Sequence, residues 1–168
     1  IPLMNIYAEL FKPHACTCAQ VLATKEDFRD RVHYLNMKNC FDALLYENII
    51  PIINENDVIS VDELMFSDND ELAGLVASMV NADALVIMTN VDGLMDGDPS
   101  SKHSRVIPFV DFLAMDIEKF IMPTVSSSGR GGMRTKCSVA KKMSSLGITT
   151  HIINGAKENT LHNLFEGK

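Results

Sequence analysis

The chain contains no run of eighteen apolar residues, so nothing in it reads as a membrane-spanning helix. Its first residues, Ile1-Pro2-Leu3-Met4, carry neither the basic segment nor the small-residue cleavage site of a secretory leader. Both absences make a cytoplasmic protein the expectation. Basic residues are outnumbered: 15 Lys and Arg against 22 Asp and Glu leave a net charge of −7. That balance lacks the basic face on which sequence-independent binding to nucleic acid or an anionic membrane depends. The four cysteines form no C-x-x-C pair and the five histidines no H-x-x-x-H pair, so no protein-held metal is expected. Cys16 and Cys18 alternate onto one face of a strand over 15–22, and Cys40 and Cys137 fall at apolar helical positions, a pattern of reduced, buried thiols. No repeat, low-complexity tract or linker interrupts the chain, and 168 residues at 46% apolar content suffice for one domain.

What is present alternates between two periodicities. Residues 24–47 read as one long helix, with Thr24 as cap, Asp27 in the first turn, a stripe of Phe28, Val32, Leu35, Phe41, Leu44 and Leu45, and the charged run 25–31 as its solvated side. Ile49-Ile50-Pro51-Ile52-Ile53 reads as a strand in which Pro51 removes a ladder donor and demands an edge or an end. Residues 58–66 suggest a hairpin or strand, and the segment from Leu72 to Val80 a helix apolar around most of its circumference. Ala84-Leu85-Val86-Ile87-Met88 has the continuous apolarity of a parallel strand. An excursion over 94–110 and a short helix over 111–121 come next. Met133, Cys137, Ala140, Met143 and Leu146 stripe a further helix that Gly147 ends, before a strand over 148–153 and a last helix over 158–165. Strands alternating with helices predict an α/β fold with a mostly parallel open sheet and helices on both faces. Three strands run straight into polar clusters, at 54–57, 89–93 and 154–155, and ligands of such sheets gather at the carboxyl ends of the strands.

Ser128-Gly129-Arg130-Gly131-Gly132-Met133-Arg134-Thr135-Lys136 opens directly into a helix. Glycines let the backbone approach a ligand, a helix start offers N–H groups with partial positive charge, and Lys136 adds a full one. This is a phosphate cradle in chemistry, although a glycine-rich loop alone is equally well a connector. Asp68-Asn69-Asp70 stands at another helix start, where a single residue is enough for a cap. Together with Asn54 and Asp57 it makes a region rich in carboxylate and amide groups, suited to an amino group or to orienting lysines. Thr89-Asn90-Val91-Asp92-Gly93 is by itself only a strand exit. Combined, the three meet the needs of phosphoryl transfer, which asks for positioning and charge stabilisation.

The segments Pro51-Ile52-Ile53-Asn54-Glu55-Asn56-Asp57, Phe66-Ser67-Asp68-Asn69-Asp70, Thr89-Asn90-Val91-Asp92-Gly93-Leu94 with Asp98-Pro99, and Gly131-Gly132-Met133-Arg134-Thr135-Lys136 together resemble the amino acid kinase family. The resemblance runs from about Leu10 to the C-terminus, including Asp30-Arg31 and Tyr34-Leu35-Asn36. The strand exit is shared across the family; the Asn-Glu-Asn-Asp and Asp-Asn-Asp clusters resemble the members that act on glutamate. The resemblance implies the family's αβα sandwich and transfer of the γ-phosphoryl of ATP to the side-chain carboxylate of L-glutamate, the first step toward proline. It implies a catalytic Lys136 on the transferring group and an Asp70 that holds lysines. Asn54, Asp57, Asp68 and Asn69 would line the glutamate site, and Thr89, Asn90, Arg130, Gly131, Gly132, Met133, Arg134, Thr135 and Lys136 would contact ATP. Mg²⁺ would ride chiefly on the phosphates. A homo-oligomer and feedback by proline are further implications.

Three departures accompany it. The family begins with a strand and a glycine-rich segment carrying another phosphate-binding lysine, which would make residues 1–168 a single kinase domain incomplete at its N-terminus. Asn90 stands where the family has Asp, and Arg130 where it has a small residue. No PUA-type domain is expected. The alternatives are a member acting on another acceptor, such as acetylglutamate, and a non-catalytic module that senses glutamate or proline.

Overall fold

The computed structural model describes residues 2–56, 66, 68–98, 101, 103–112, 114–120 and 132–167, which fall into two compact units, Ile1–Val80 and Asn81–Lys168. In the first, helix α1 (Pro2–Phe11) leads to strand β1 (Thr17–Ala23), helix α2 (Arg31–Tyr46), strand β2 (Ile49–Glu55) and helix α3 (Asn69–Met79). In the second, strand β3 (Ala84–Thr89) is followed by helix α4 (Met133–Ser145), strand β4 (Thr149–Asn154) and helix α5 (Thr160–Phe165). No helix among the described residues is long and apolar enough to cross a membrane.

Each unit is built on a parallel strand pair, as parallel strands joined through a helix require. β1 lies beside β2 from Thr17↔Ile49 to Ala23↔Glu55, and β3 beside β4 from Ala84↔Thr149 to Thr89↔Asn154. Pro51 sits inside β2 opposite Ala19, so the missing donor falls in a strand with one partner among the described residues. The strand runs two residues further than its apolar pattern, through Asn54 and Glu55, which puts these polar groups on the ladder itself.

The expected long helix is two pieces. Thr24 donates from its N–H and hydroxyl to the same Asp27 oxygen, at 2.6 and 2.8 Å, and the box closes only a 3-10 turn over Lys25–Phe28. A second cap starts α2: Asp30 accepts from the amides of Val32 and His33 at 2.9 and 3.0 Å. The stripe is corrected as well. Phe41 is fully buried against Val21 and Met79, with Tyr34, Met37 and Leu44 beside it at helical spacing, whereas Val32, Leu35 and Leu45 face outward. α3 matches its expected all-round apolarity, with Leu72, Gly74, Ala77 and Met79 buried.

In the second unit β3 buries Leu85 and Ile87, while Met88 is exposed. α4 buries Cys137, Val139, Ala140 and Met143; Leu146, expected in the stripe, is exposed at the C-cap. Gly147 ends the helix at φ +79°, with its N–H on the Ser144 carbonyl and the Ile148 N–H on that of Met143, both 3.0 Å. This is the paired bonding of a Schellman cap. Residues 94–98 and 103–107 run back along one another, pairing Met95 with Val106 and the Ile107 amide with the Leu94 carbonyl at 2.8 Å. Of the helix expected over 111–121, only a turn at Ile117–Lys119 forms among the described residues. Among the described residues no thiol is in a disulfide, but only Cys137 is buried; Cys16 and Cys40 are exposed because they precede β1 and lie on the outer face of α2. The hairpin expected over 58–66 lies outside the described residues except Phe66.

Candidate functional site

In the first unit the paired ends of β1 and β2 carry the polar groups. The Asn56 amide continues the ladder onto the Ala23 carbonyl at 2.8 Å, so Asn54, Glu55 and Asn56 lie beside the turn that starts at Thr24. α3 begins against the same end, because Leu72 and Phe66 form a buried cluster with Ala23, and Ile53 packs onto it. Glu55 serves the fold, since its Oε1 accepts from the Phe66 amide at 2.9 Å. The chain thus brings Asn54, Asp68, Asn69 and Asp70 to one end of this unit. Asp57 lies outside the described residues.

Asp68 is the most informative of these. Its Oδ1 accepts from the Glu71 amide at 3.0 Å and caps α3. Its Oδ2 is buried with no hydrogen-bond partner among the described residues. One oxygen discharges the structural role that a helix start demands; the other is a carboxylate acceptor withheld from water, an arrangement that costs stability unless a donor arrives. A ligand ammonium is a donor of the right charge.

Lys25 departs from the solvated position expected of it. Its Nζ lies 3.6 Å from Glu71 Oε2 and 5.9 Å from the centre of the buried Phe66 ring. The charged run is therefore not all surface, and one of its members ties the β1 exit to the first turn of α3.

In the second unit the ends of β3 and β4 meet in the same way. Thr89 lies opposite Asn154, and the Gly155 amide donates to the Thr89 carbonyl at 2.8 Å. α4 starts beside this exit, since Met133 and Cys137 pack with Leu94, the residue following the turn. Gly132 is the N-cap of α4 and brings no side chain to cap it, while its carbonyl takes the amides of Thr135 and Lys136 at 3.1 and 3.3 Å; the partial positive charge of such a helix start favours an anion. Lys136 stands in this first turn, its amide bonded to the Gly132 carbonyl at 3.3 Å. Thr89, Asn90 and the run Gly132 to Lys136 are thus gathered at one end of this unit; Arg130 and Gly131 lie outside the described residues.

A network that the sequence did not reveal ties the two strand exits of this unit together. Asp92 Oδ1 accepts from Asn154 Nδ2 at 2.8 Å and its Oδ2 from Lys157 Nζ at 2.7 Å. These bonds, Lys157 first and Asn154 second, hold the Asp92 carboxyl below its ordinary value of 3.8. The only sequence signal was that Asp92 and Asn154 both follow a strand. Gly93, at φ +144°, is also constrained, because a Cβ there would meet Val106 Cγ1 at 3.2 Å. A 520 Å³ cavity in this unit runs along β4 and 106–112 and is lined by none of the expected site residues. Its lining mixes polar and apolar groups in nearly equal measure and includes no lysine or arginine, and the polar convergence at the strand ends is the better candidate for anion chemistry.

Comparison with known proteins bears on both ends. The model of the amino acid kinase family matches residues 2–154. Among curated proteins the chain is similar to a glutamate 5-kinase of Chlorobaculum tepidum, 52% identical over 99% of this chain and 46% of that protein. It is 51% identical to a glutamate 5-kinase of Bacteroides thetaiotaomicron over 98% of this chain and 45% of that one, and 44% identical to one of Idiomarina loihiensis over 89% and 41%. The chain spans about half the length of the curated relatives it matches.

Proposed function

The chain belongs to the amino acid kinase family, and on that premise we propose that the whole protein transfers the γ-phosphoryl group of ATP to the side-chain carboxylate of L-glutamate. The product is glutamyl 5-phosphate, an intermediate on the way to proline. Relatives named glutamate 5-kinase, 41–52% identical across several organisms, support the choice of acceptor. The observation that carries it within the chain is the divided carboxylate of Asp68, one oxygen on the helix and one reserved.

Asn54, Asp57, Asp68 and Asn69 form the acceptor site in this reading, with Asp68 Oδ2 taking the glutamate ammonium. Thr89, Asn90 and the run Arg130, Gly131, Gly132, Met133, Arg134, Thr135 and Lys136 hold the nucleotide, with helix amides on phosphate oxygens. The glutamate side chain, with an ordinary pKa of about 4.3, is ionised at neutral pH and needs no base to become the nucleophile. An oxygen–phosphorus bond forms as the bond to the bridging oxygen breaks, and ADP departs with the electron pair. Lys136 neutralises charge on the transferring group, and Asp70 holds lysines in place. Mg²⁺ would ride on the phosphates, with no residue of this chain assigned to hold it, and would supply further neutralisation. The 168 residues then belong to a single kinase domain, in a cytoplasmic homo-oligomer subject to feedback by proline.

The test is phosphoryl transfer by the full-length protein to glutamate, acetylglutamate, aspartate and UMP in parallel, with acyl phosphate trapped by hydroxylamine. Turnover with glutamate is expected; turnover only with another acceptor overturns the assignment. Glutamate binding without turnover favours the sensing module.

A further inference from the structure

Three carboxylates, Asp68, Asp70 and Glu71, crowd the first turn of α3, and the first described cation beside them comes from a different element. Lys25 opens the 3-10 turn after β1, a turn fixed by both bonds from Thr24 to Asp27. Its side chain and that of Glu71 are 21% and 25% exposed, and the pair is 3.6 Å apart. The same ammonium lies over Phe66, which is itself buried, edge-on to Phe28 at 5.9 Å, and bonded through its amide to Glu55. Lys25 thus lies over the buried Phe66 ring and reaches the residue whose amide is bound by Asp68 Oδ1.

We propose that Lys25 is a positioning residue of the acceptor site: by holding Glu71 it fixes the first turn of α3, and with it the direction in which Asp68 presents Oδ2. The proposal rests on the acceptor reading above for its kinetic consequence, though not for its structural one. A positive charge near a helix N-terminus is ordinarily unfavourable, and here the Glu71 carboxylate offsets it within the same turn. Removing the Lys25 charge withdraws one counter-charge from a turn that carries Asp68, Asp70 and Glu71, so the mutual repulsion of these carboxylates grows.

The test uses the full-length protein with Lys25→Met, which keeps the stem and removes the charge, Lys25→Arg, which keeps it, and Glu71→Gln. Lys25→Met is expected to raise the KM for glutamate roughly three- to fivefold, the upper scale of one partly exposed ion pair, with kcat and the KM for ATP within about twofold. Lys25→Arg restores most of the loss, and Lys25→Met with Glu71→Gln is no worse than either alone. Hydrogen exchange at the Glu71 amide gives a readout independent of the acceptor, and faster exchange in Lys25→Met is expected. Unchanged exchange overturns the proposal whatever the substrate, as does unchanged glutamate KM in an enzyme that uses glutamate. Faster exchange in a protein that does not phosphorylate glutamate upholds the positioning and sinks the acceptor reading instead.

Discussion

Replacing Asp68 by asparagine separates the two roles of one carboxylate. Asparagine retains an oxygen that can accept from the Glu71 amide, where Asp68 Oδ1 now sits at 3.0 Å, and it caps helices about as well as aspartate. The stability of Asp68→Asn should therefore stay within a few tenths of a kcal/mol of the parent. Asp68→Ala loses the cap and should cost about 1 kcal/mol, or roughly 2–4 °C in a domain of this size. The other oxygen behaves in the opposite way. In Asp68→Asn the buried Oδ2, which has no partner among the described residues, becomes an NH₂ donor facing the incoming ammonium. A hydrogen bond to a charged group contributes about 1.5–3 kcal/mol, so the KM for glutamate should rise roughly ten- to hundredfold in both variants. The assay is steady-state kinetics of the full-length enzyme, with thermal melts of each variant alongside. An unchanged glutamate KM in Asp68→Asn refutes the reasoning about Oδ2. A loss of stability as large as that of Asp68→Ala refutes the division of labour.

Lys136→Ala should lower kcat about a hundredfold, close to 3 kcal/mol of transition-state stabilisation, with little change in melting temperature; a shift confined to KM would remove it from the transferring phosphoryl group. Gly147→Ala should destabilise by about 1 kcal/mol in denaturant titrations, from the φ of +79° alone, since nothing within 4 Å would meet the new Cβ. Asp92 should titrate below 3.8 in a carbon-detected NMR titration, because Lys157 and Asn154 favour its ionised form. Since the folded value is the lower one, its stabilising contribution is complete above the ordinary carboxylate range and is lost as pH falls through the lowered value. Asp92→Asn should flatten that acid limb, and a folded-state pKa at or above 3.8 refutes the coupling.

The elements legible from sequence were those whose signals agree locally. β3, β4 and α3 are short runs with apolar interiors and polar ends, and α4 carries both a stripe and a terminating glycine, so pattern and punctuation point to the same boundaries. The region 24–47 misled because it holds two valid caps six residues apart: Thr24 with Asp27 satisfies a turn, and Asp30 satisfies the helix. Nothing local ranks them. The face of α2 was obscured for a similar reason, since apolar residues occupy both sides and only packing against Val21 and Met79 selects Tyr34, Met37, Phe41 and Leu44. The Asp92 to Lys157 bond spans 65 residues and the Lys25 to Glu71 pair joins separate elements, so neither leaves a periodic trace.

The helix starts were ambiguous in sequence because a cap and a ligand site use the same residue types. Accounting atom by atom removes part of that ambiguity. A carboxylate offers two oxygens and the cap of α3 consumes one, so the buried remainder at Asp68 is an acceptor in excess of what the helix needs. Gly132 is the complementary case: a cap without a side chain at the positive end of α4, with the Lys136 charge in the same turn. An excess acceptor with full negative charge selects a cationic group, and the positive end of a helix with a lysine in its first turn selects an anion. A reaction whose two reactants are an amino acid and a nucleotide needs one of each. The opposite arrangement, phosphate beside Asp68 and ammonium beside Gly132 and Lys136, would place like charge against like charge in both units, which favours the acceptor at the first and the nucleotide at the second.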